Sequence, residues 1–238
     1  MNEADPSRAI ARNRQPGSEV LRALAASIQE LPGSGCVLVG VDGVDGSGKT
    51  VFANKLGEVL RTDGRSTVRL SIDDFHHVRA IRYRRGRSSP EGFWLDSFDY
   101  ERLSAYVLDP LGPGGSRRYR PRGHDLESDQ ILVPDDVFAP AGSVVIIDGL
   151  FLHRDELADV WNFSVFLDVP FDVTARRLAT RDGSNPDPGH PSMRRYVEAQ
   201  MLYFARCSPQ RRASVVIDNT SFDHPRFVGP PRKAGVVE

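Results

Sequence analysis

Gly43-Val44-Asp45-Gly46-Ser47-Gly48-Lys49-Thr50 is the stretch on which the reading of this chain turns. It fits G-x-x-x-x-G-K-[S/T], and its surroundings fit too. The apolar run Cys36–Val41 precedes it, and a helical pattern from Lys49 to Leu60 follows. Glycines at 43, 46 and 48 let backbone N–H groups turn toward phosphate oxygens with no Cβ in the way. The following helix aims its positive end at the same anion. Lys49 supplies a point charge for the β- and γ-phosphates, and Thr50 a hydroxyl for Mg²⁺. The expected nucleotide-binding set is therefore Gly43, Asp45, Gly46, Ser47, Gly48, Lys49 and Thr50. A chance match to the four fixed positions is about a 1% event at this length, and the flanking strand and helix lower it further.

Working outward, apolar strands alternate with amphipathic helices. Ser18 offers an N-cap to a helix with Val20, Leu21, Leu24, Ile28 and Leu31 on one stripe, ended by Pro32-Gly33. Strands are expected at Val68–Ile72, Val144–Ile147, Ser164–Val169 and Ser214–Ile217. Helices are expected at Tyr100–Leu108, Arg154–Val160, Val173–Arg181 and Met193–Cys207. This alternation implies an α/β fold of the P-loop NTPase type: a parallel sheet flanked by helices, with a small lid. The lid is the stretch 182–191, DGSNPDPGHP, which suits neither helix nor strand. Residues 1–17 read as a flexible leader, 18–222 as the domain, and 223–238 as a loose tail.

The 238 residues carry 31 Lys+Arg and 32 Asp+Glu, a net charge of −1. With 39% hydrophobic residues, the chain can bury a core, which excludes wholesale disorder. The balanced charge argues against nucleic acid as a partner, the Arg117–Arg122 cluster notwithstanding. Two cysteines make neither a disulfide framework nor a multi-cysteine zinc site. No run approaches the length of a membrane span, and the polar N-terminus lacks a signal-peptide core, so a soluble cytoplasmic protein is expected. Its partner is then a small-molecule substrate; a homo-oligomer stays open.

A P-loop needs a carboxylate on a neighbouring strand for Mg²⁺ or its water. Asp148, closing the run Val144–Ile147, fits. A second acidic site, Asp73-Asp74, follows the strand Val68–Ile72 at the sheet edge where open α/β folds bind ligands. Either residue suits the general base that a phosphoryl acceptor needs. Arg79, Arg82, Arg84, Arg85 and Arg87 form a basic run beside this pocket, either a solvated loop or a grip for an anionic substrate. Phe93, Trp94 and Tyr196 read as packing residues. No guanine-specificity Asn-Lys-x-Asp and no LSGGQ-like segment is present, which leaves a compact kinase as the fitting P-loop class.

The ordered set GVDGSGKT, IDDFHH, SFDYERL, RRYRPRGHD, VVIIDGLFL, FLDVPFDVTARRLATRD and VVIDNT resembles the uridine kinase / phosphoribulokinase-like P-loop kinases over about residues 36–220. The resemblance implies ATP and Mg²⁺ as cofactors and transfer of the γ-phosphoryl group to a hydroxyl, with a nucleoside as first acceptor. It implies Asp73 as the base, with His76 in the same substrate pocket. It implies Asp99 at ribose hydroxyls, Tyr119 and His124 at the base, and Asp148 at Mg²⁺. Arg177 and Arg181 then meet the triphosphate. Three positions depart from the family: Asp148 stands for the usual Glu, His76 for a frequent Tyr, and the lid 182–191 holds no arginine. The alternatives are a kinase for pantothenate, a sugar phosphate or another hydroxy-acid, and a regulatory nucleotide-binding module.

Overall fold

The computed structural model describes residues 17–32 and 35–229. Helix α1 (Ser18–Gln29) leads into β1 (Val37–Gly43), α2 (Lys49–Thr62) and β2 (Thr67–Ser71). A 3₁₀ turn over Ile72–Phe75 and the short α3 (Arg79–Arg82) precede α4 (Pro90–Asp96). Helix α5 (Tyr100–Leu103) runs through a π-turn at Ser104–Leu108 into α6 (Asp109–Leu111). Two small ribbons follow: β3 (Arg118–Tyr119) with β6 (Val137–Phe138), and β4 (His124–Asp125) with β5 (Gln130–Ile131). The chain closes with β7 (Val144–Gly149), β8 (Phe163–Asp168), α7 (Phe171–Asp182), α8 (Arg194–Cys207), α9 (Pro209–Arg212), β9 (Val215–Asp218) and β10 (Arg226–Phe227).

The main sheet has the order β10-β9-β8-β1-β7-β2, parallel except for β10. The central strands β1 and β7 are buried at every position. Both of their faces are covered, which is why they read as unbroken apolar runs rather than alternating ones. One face packs Leu24, Ile28, Leu56 and Leu60 of α1 and α2. The other packs Trp94, Phe151, Phe166 and Tyr203. Because β1, β7 and β2 run in register, the first residues beyond β1 and the last of β7 and β2 emerge together at one edge.

Several expectations need correction. Gly17, in the left-handed region at φ 81°, caps α1; the Ser18 hydroxyl is buried without a partner. Helix α1 ends at Gln29, ahead of Pro32; Gly33 lies outside the described residues. The helix expected over Arg154–Val160 is only a 3₁₀ turn at Asp155–Leu157. The tail does not come loose at 223, because Arg226 and Phe227 pair antiparallel with Asp218 and Ile217. Most of the expected leader, 1–16, and the end of the tail, 230–238, lie outside the described residues. Among the described residues no helix is long and apolar enough to cross a membrane.

Candidate active site

The loop between β1 and α2 wraps from Gly43 to Thr50. Gly46 and Gly48 take φ of 77° and 90°, and a Cβ at either would lie 2.8 Å from the Thr174 carbonyl or 2.4 Å from the Phe222 ring. Only glycine meets both demands. The loop is braced from outside. Asn219, beyond β9, donates to the Ser47 carbonyl at 2.8 Å, and Gln200 of α8 accepts from the Asp45 N–H at 2.6 Å. Lys49 Nζ donates to the Val44 carbonyl within the loop at 3.0 Å. Beneath it, buried Asp42 accepts from the Gly43 N–H at 2.7 Å and sits 2.8 Å from His153 Nδ1; the Tyr203 hydroxyl also donates to it. That network ties β1 to α8, and no local motif signals it.

Asp148, the fifth residue of β7, is 1% exposed. Its carboxylate accepts from the Thr50 hydroxyl at 2.6 Å and from Arg69 Nη2 at 2.7 Å. Arg69 of β2 also donates to the Ile146 carbonyl at 2.6 Å and to Asn54 of α2 at 3.0 Å. This arginine was missed at the sequence level, since its partner lies 79 positions away. The residues fit a magnesium nucleotide. The Ser47 hydroxyl is buried in the loop with no protein partner, and Thr50 with Asp148 offers hard oxygen donors. Among the described residues no group of three or more His, Cys, Asp or Glu forms a metal cage. A Mg²⁺ held by one carboxylate and substrate phosphates needs none.

Two cavities meet at this edge. One, of about 720 Å³, is lined by the loop, Asp73, Asp148, Arg176, Arg177, Arg181 and Phe222. The other, of about 310 Å³, lies beyond Asp73 among His76, Arg82, Tyr83, Phe98, Arg195 and Tyr196. Asp45, Lys49, Asp73 and Arg181 line both. Asp73 is exposed to the open cleft, and the protein around that cleft costs its carboxylate part of its hydration. That desolvation, with Lys49 opposing and Asp148 and Asp45 adding, pushes its carboxyl up to about 6. Asp74 is spoken for: Arg122 Nε donates to it at 2.9 Å. Of the two acids, Asp73 lines both cavities and Asp74 neither. Burial pushes His76 down to about 4, which keeps its ring neutral.

The structure does not bring all expected site residues to the cavities. Asp99 caps α5, accepting from the Arg102 N–H at 2.9 Å and its guanidinium at 2.6 Å. Tyr119 is packed in the core through β3, and buried His124 places Nε2 3.3 Å from Asp129. None of these three lines either cavity. Arg177 lines the larger one, but its guanidinium donates to the carbonyls of Asn219 and Thr220 at 2.9 Å and lies 3.8 Å over the Phe222 ring. Phe222 and Arg195 had no local signature: one follows a strand end, the other sits in an ordinary helical pattern. Phe93 and Trp94 are core, as expected.

A glycine cradle at the carboxyl edge of a parallel sheet, with an acid on the adjacent strand and a second cavity across from it, defines a P-loop nucleotide-binding fold of the phosphotransferase kind. Residues 38–211 match the model of the phosphoribulokinase / uridine kinase family, and the chain belongs to that family. As a member it is a phosphotransferase with a hydroxyl acceptor. A uridine kinase of Shewanella frigidimarina is 26% identical over 184 residues, covering 74% of this chain and 84% of that one. Human nicotinamide riboside kinase 1 is 28% identical over 155 residues, covering 64% and 69%. A solved structure described as a possible uridine kinase, from Bacillus stearothermophilus, superposes with a TM-score of 0.66 at 25% identity, covering 84% of this chain and 97% of that one.

Proposed function

We propose that this chain is an ATP- and Mg²⁺-dependent kinase that phosphorylates a hydroxyl of a small, ring-bearing metabolite, a nucleoside-like molecule in the first place. The observation that carries the reading is the meeting of the two cavities at Lys49, Asp73 and Arg181. The larger holds the triphosphate and the smaller the acceptor. Loop N–H groups and Lys49 grip the β- and γ-phosphates, and their charge counts most where negative charge builds in the transition state. Thr50 and Asp148 would hold Mg²⁺, which when bound neutralises charge on the β- and γ-oxygens. Asp73 orients the acceptor hydroxyl and takes its proton. A carboxyl near 6 is ionised at neutral pH yet more basic than an ordinary aspartate. Arg181 and the lid 182–191 close over the transferring group and exclude water, so transfer outruns hydrolysis. The names of the relatives support a nucleoside, and the aromatic rings Tyr83, Phe98 and Tyr196 of the smaller cavity suit a flat ring.

A regulatory nucleotide-binding module is disfavoured by Asp73, since a switch has no use for a base beside a second cavity. The test is ADP release from Mg·ATP with a panel of nucleosides, vitamins, sugar phosphates and hydroxy-acids. Acceptor-dependent release that vanishes in Lys49→Ala supports the reading; release indifferent to every acceptor contradicts it.

A further inference from the structure

The smaller cavity has an unbalanced charge. Its cations are Lys49, Arg82, Arg181 and Arg195, and its anions are Asp45 and Asp73. Four of these six line the nucleotide cavity as well, and they belong to phosphate binding and proton transfer. Only Arg82 and Arg195 line the acceptor side alone, and no carboxylate lines it with them.

Each guanidinium keeps a buried Nε that no protein group accepts from. Arg195, in the first turn of α8, forms no ion pair among the described residues. Its Nη1 donates to the Arg87 carbonyl at 2.6 Å, and its Nε is buried with no partner. The Tyr83, Phe93 and Tyr196 rings hold the group in place, their centroids 4.9, 5.2 and 5.9 Å away. Arg82 is 8% exposed, and its Nε too is buried without a partner. Among the described residues its one ion pair is a long 3.4 Å contact to Asp129, a carboxylate already accepting from the Arg79 N–H. Other members of the basic run differ. Arg84 and Arg85 are both paired to buried Asp96, at 2.6 and 3.0 Å. Neighbouring His76 stays neutral and adds no charge.

A guanidinium whose buried Nε lacks a hydrogen bond is costly, and its fork matches a planar or tetrahedral oxyanion. We propose that the acceptor carries a compact oxyanion, a carboxylate or phosphate, away from the hydroxyl that is phosphorylated, and that Arg195 and Arg82 bind it. This narrows the acceptor class and rests on the kinase reading above. A neutral nucleoside would leave Arg195 with no anionic partner and Arg82 with nothing beyond its long contact to Asp129 once the cleft closes. Sites built for a polar group discriminate strongly against analogues that lack it.

The binding test uses inorganic phosphate and malonate as separate probes, with a magnesium complex of a non-hydrolysable ATP analogue filling the P-loop. Titration calorimetry should show at least one probe binding wild type about tenfold or more tightly than Arg195→Gln, with Arg82→Gln weakened as well. Arg195→Lys should recover part of the affinity. Whichever probe responds tells phosphate from carboxylate. Equal affinity in wild type and both Gln variants, or no binding of either probe, overturns the proposal. Melting without anion confirms that each variant is folded.

Turnover separates this from the kinase reading. Matched pairs such as uridine with orotidine, glycerol with glycerate, and ribose with ribose 5-phosphate compare one skeleton with and without the oxyanion. The proposal expects kcat/KM to favour the anionic member of a productive pair by on the order of 10²-fold, and Arg195→Gln to erase that preference through KM. Turnover of neutral members alone overturns the oxyanion site and leaves the kinase standing. Arginine-dependent anion binding with no acceptor-stimulated ADP release keeps the site and removes the kinase.

Discussion

Asp73 offers the sharpest quantitative prediction. Its carboxyl stands near 6 against an ordinary 3.8, chiefly because the protein around the cleft costs the carboxylate part of its hydration. A general base must be ionised to work, so activity is lost as pH falls through the folded value. For a group at about 6, roughly 91% is ionised at pH 7 and roughly 9% at pH 5, about a tenfold fall in kcat/KM. An unshifted aspartate would still be about 94% ionised at pH 5, and the profile would be flat. The assay is acceptor-dependent ADP release between pH 5 and 8 at limiting acceptor and saturating Mg·ATP. Asp73→Asn keeps the size but cannot take the proton, so transfer should drop about 10²–10⁴-fold and the acid limb should disappear. Affinity for Mg·ATP should not weaken, because the triphosphate rests on residues 43–50 and a nearby negative charge has been removed. A flat wild-type profile from pH 5 to 7, or an Asn variant transferring at the wild-type rate, would refute the assignment.

Other consequences follow from the same geometry. Lys49→Ala should lower kcat by about 10²-fold or more with an unchanged melting temperature, since Lys49 Nζ is held by a single hydrogen bond to the Val44 carbonyl among the described residues; full activity in the folded variant removes the cradle from the mechanism. Arg69→Met should destabilise by about 2–3 kcal/mol, less than a fully buried pair because Arg69 retains 19% side-chain exposure. At about 2–4 °C per kcal/mol, thermal melting should fall by roughly 4–12 °C, and a shift under one degree would count against the pair. Trypsin should cut after Arg181 readily in the free protein and slowly with Mg·ATP analogue and acceptor bound; equal rates would argue against lid closure. Asp73→Asn should melt higher than wild type at pH 8. The raised carboxyl penalises the ionised folded state above about 6, so the gain should fade on approach to pH 4.

What could be read from the sequence was local. The cradle from Gly43 to Thr50, Asp148 at a strand end and Asp73 beyond the next strand each announce themselves within a few residues. Parallel strands then deliver them to one edge whatever the rest of the chain does. Arg69 is different. A charged residue in an edge strand looks solvent-facing until the β2–β7 register sets it opposite Ile146. Arg195 is different again, since only the packing of α8 against α4 carries it to the acceptor cavity. Asp99, Tyr119 and His124 came from motif likeness alone. In the structure a helix cap, a two-residue ribbon and a hydrogen bond to Asp129 take them up, and strands that short leave no periodicity to read. The basic run 79–87 likewise divides only in three dimensions: Asp96 neutralises two of its arginines, while Arg82 turns into the cavity.

The central claim is that the γ-phosphoryl group reaches an acceptor rather than water. Incubation with γ-labelled Mg·ATP and the acceptor that most stimulates ADP release tests it directly, with the label followed to its product. Label is expected on the acceptor's hydroxyl in one-to-one ratio with ADP, lost in Lys49→Ala and Asp73→Asn. Label appearing only as inorganic phosphate, at a rate unaffected by the acceptor, would contradict it.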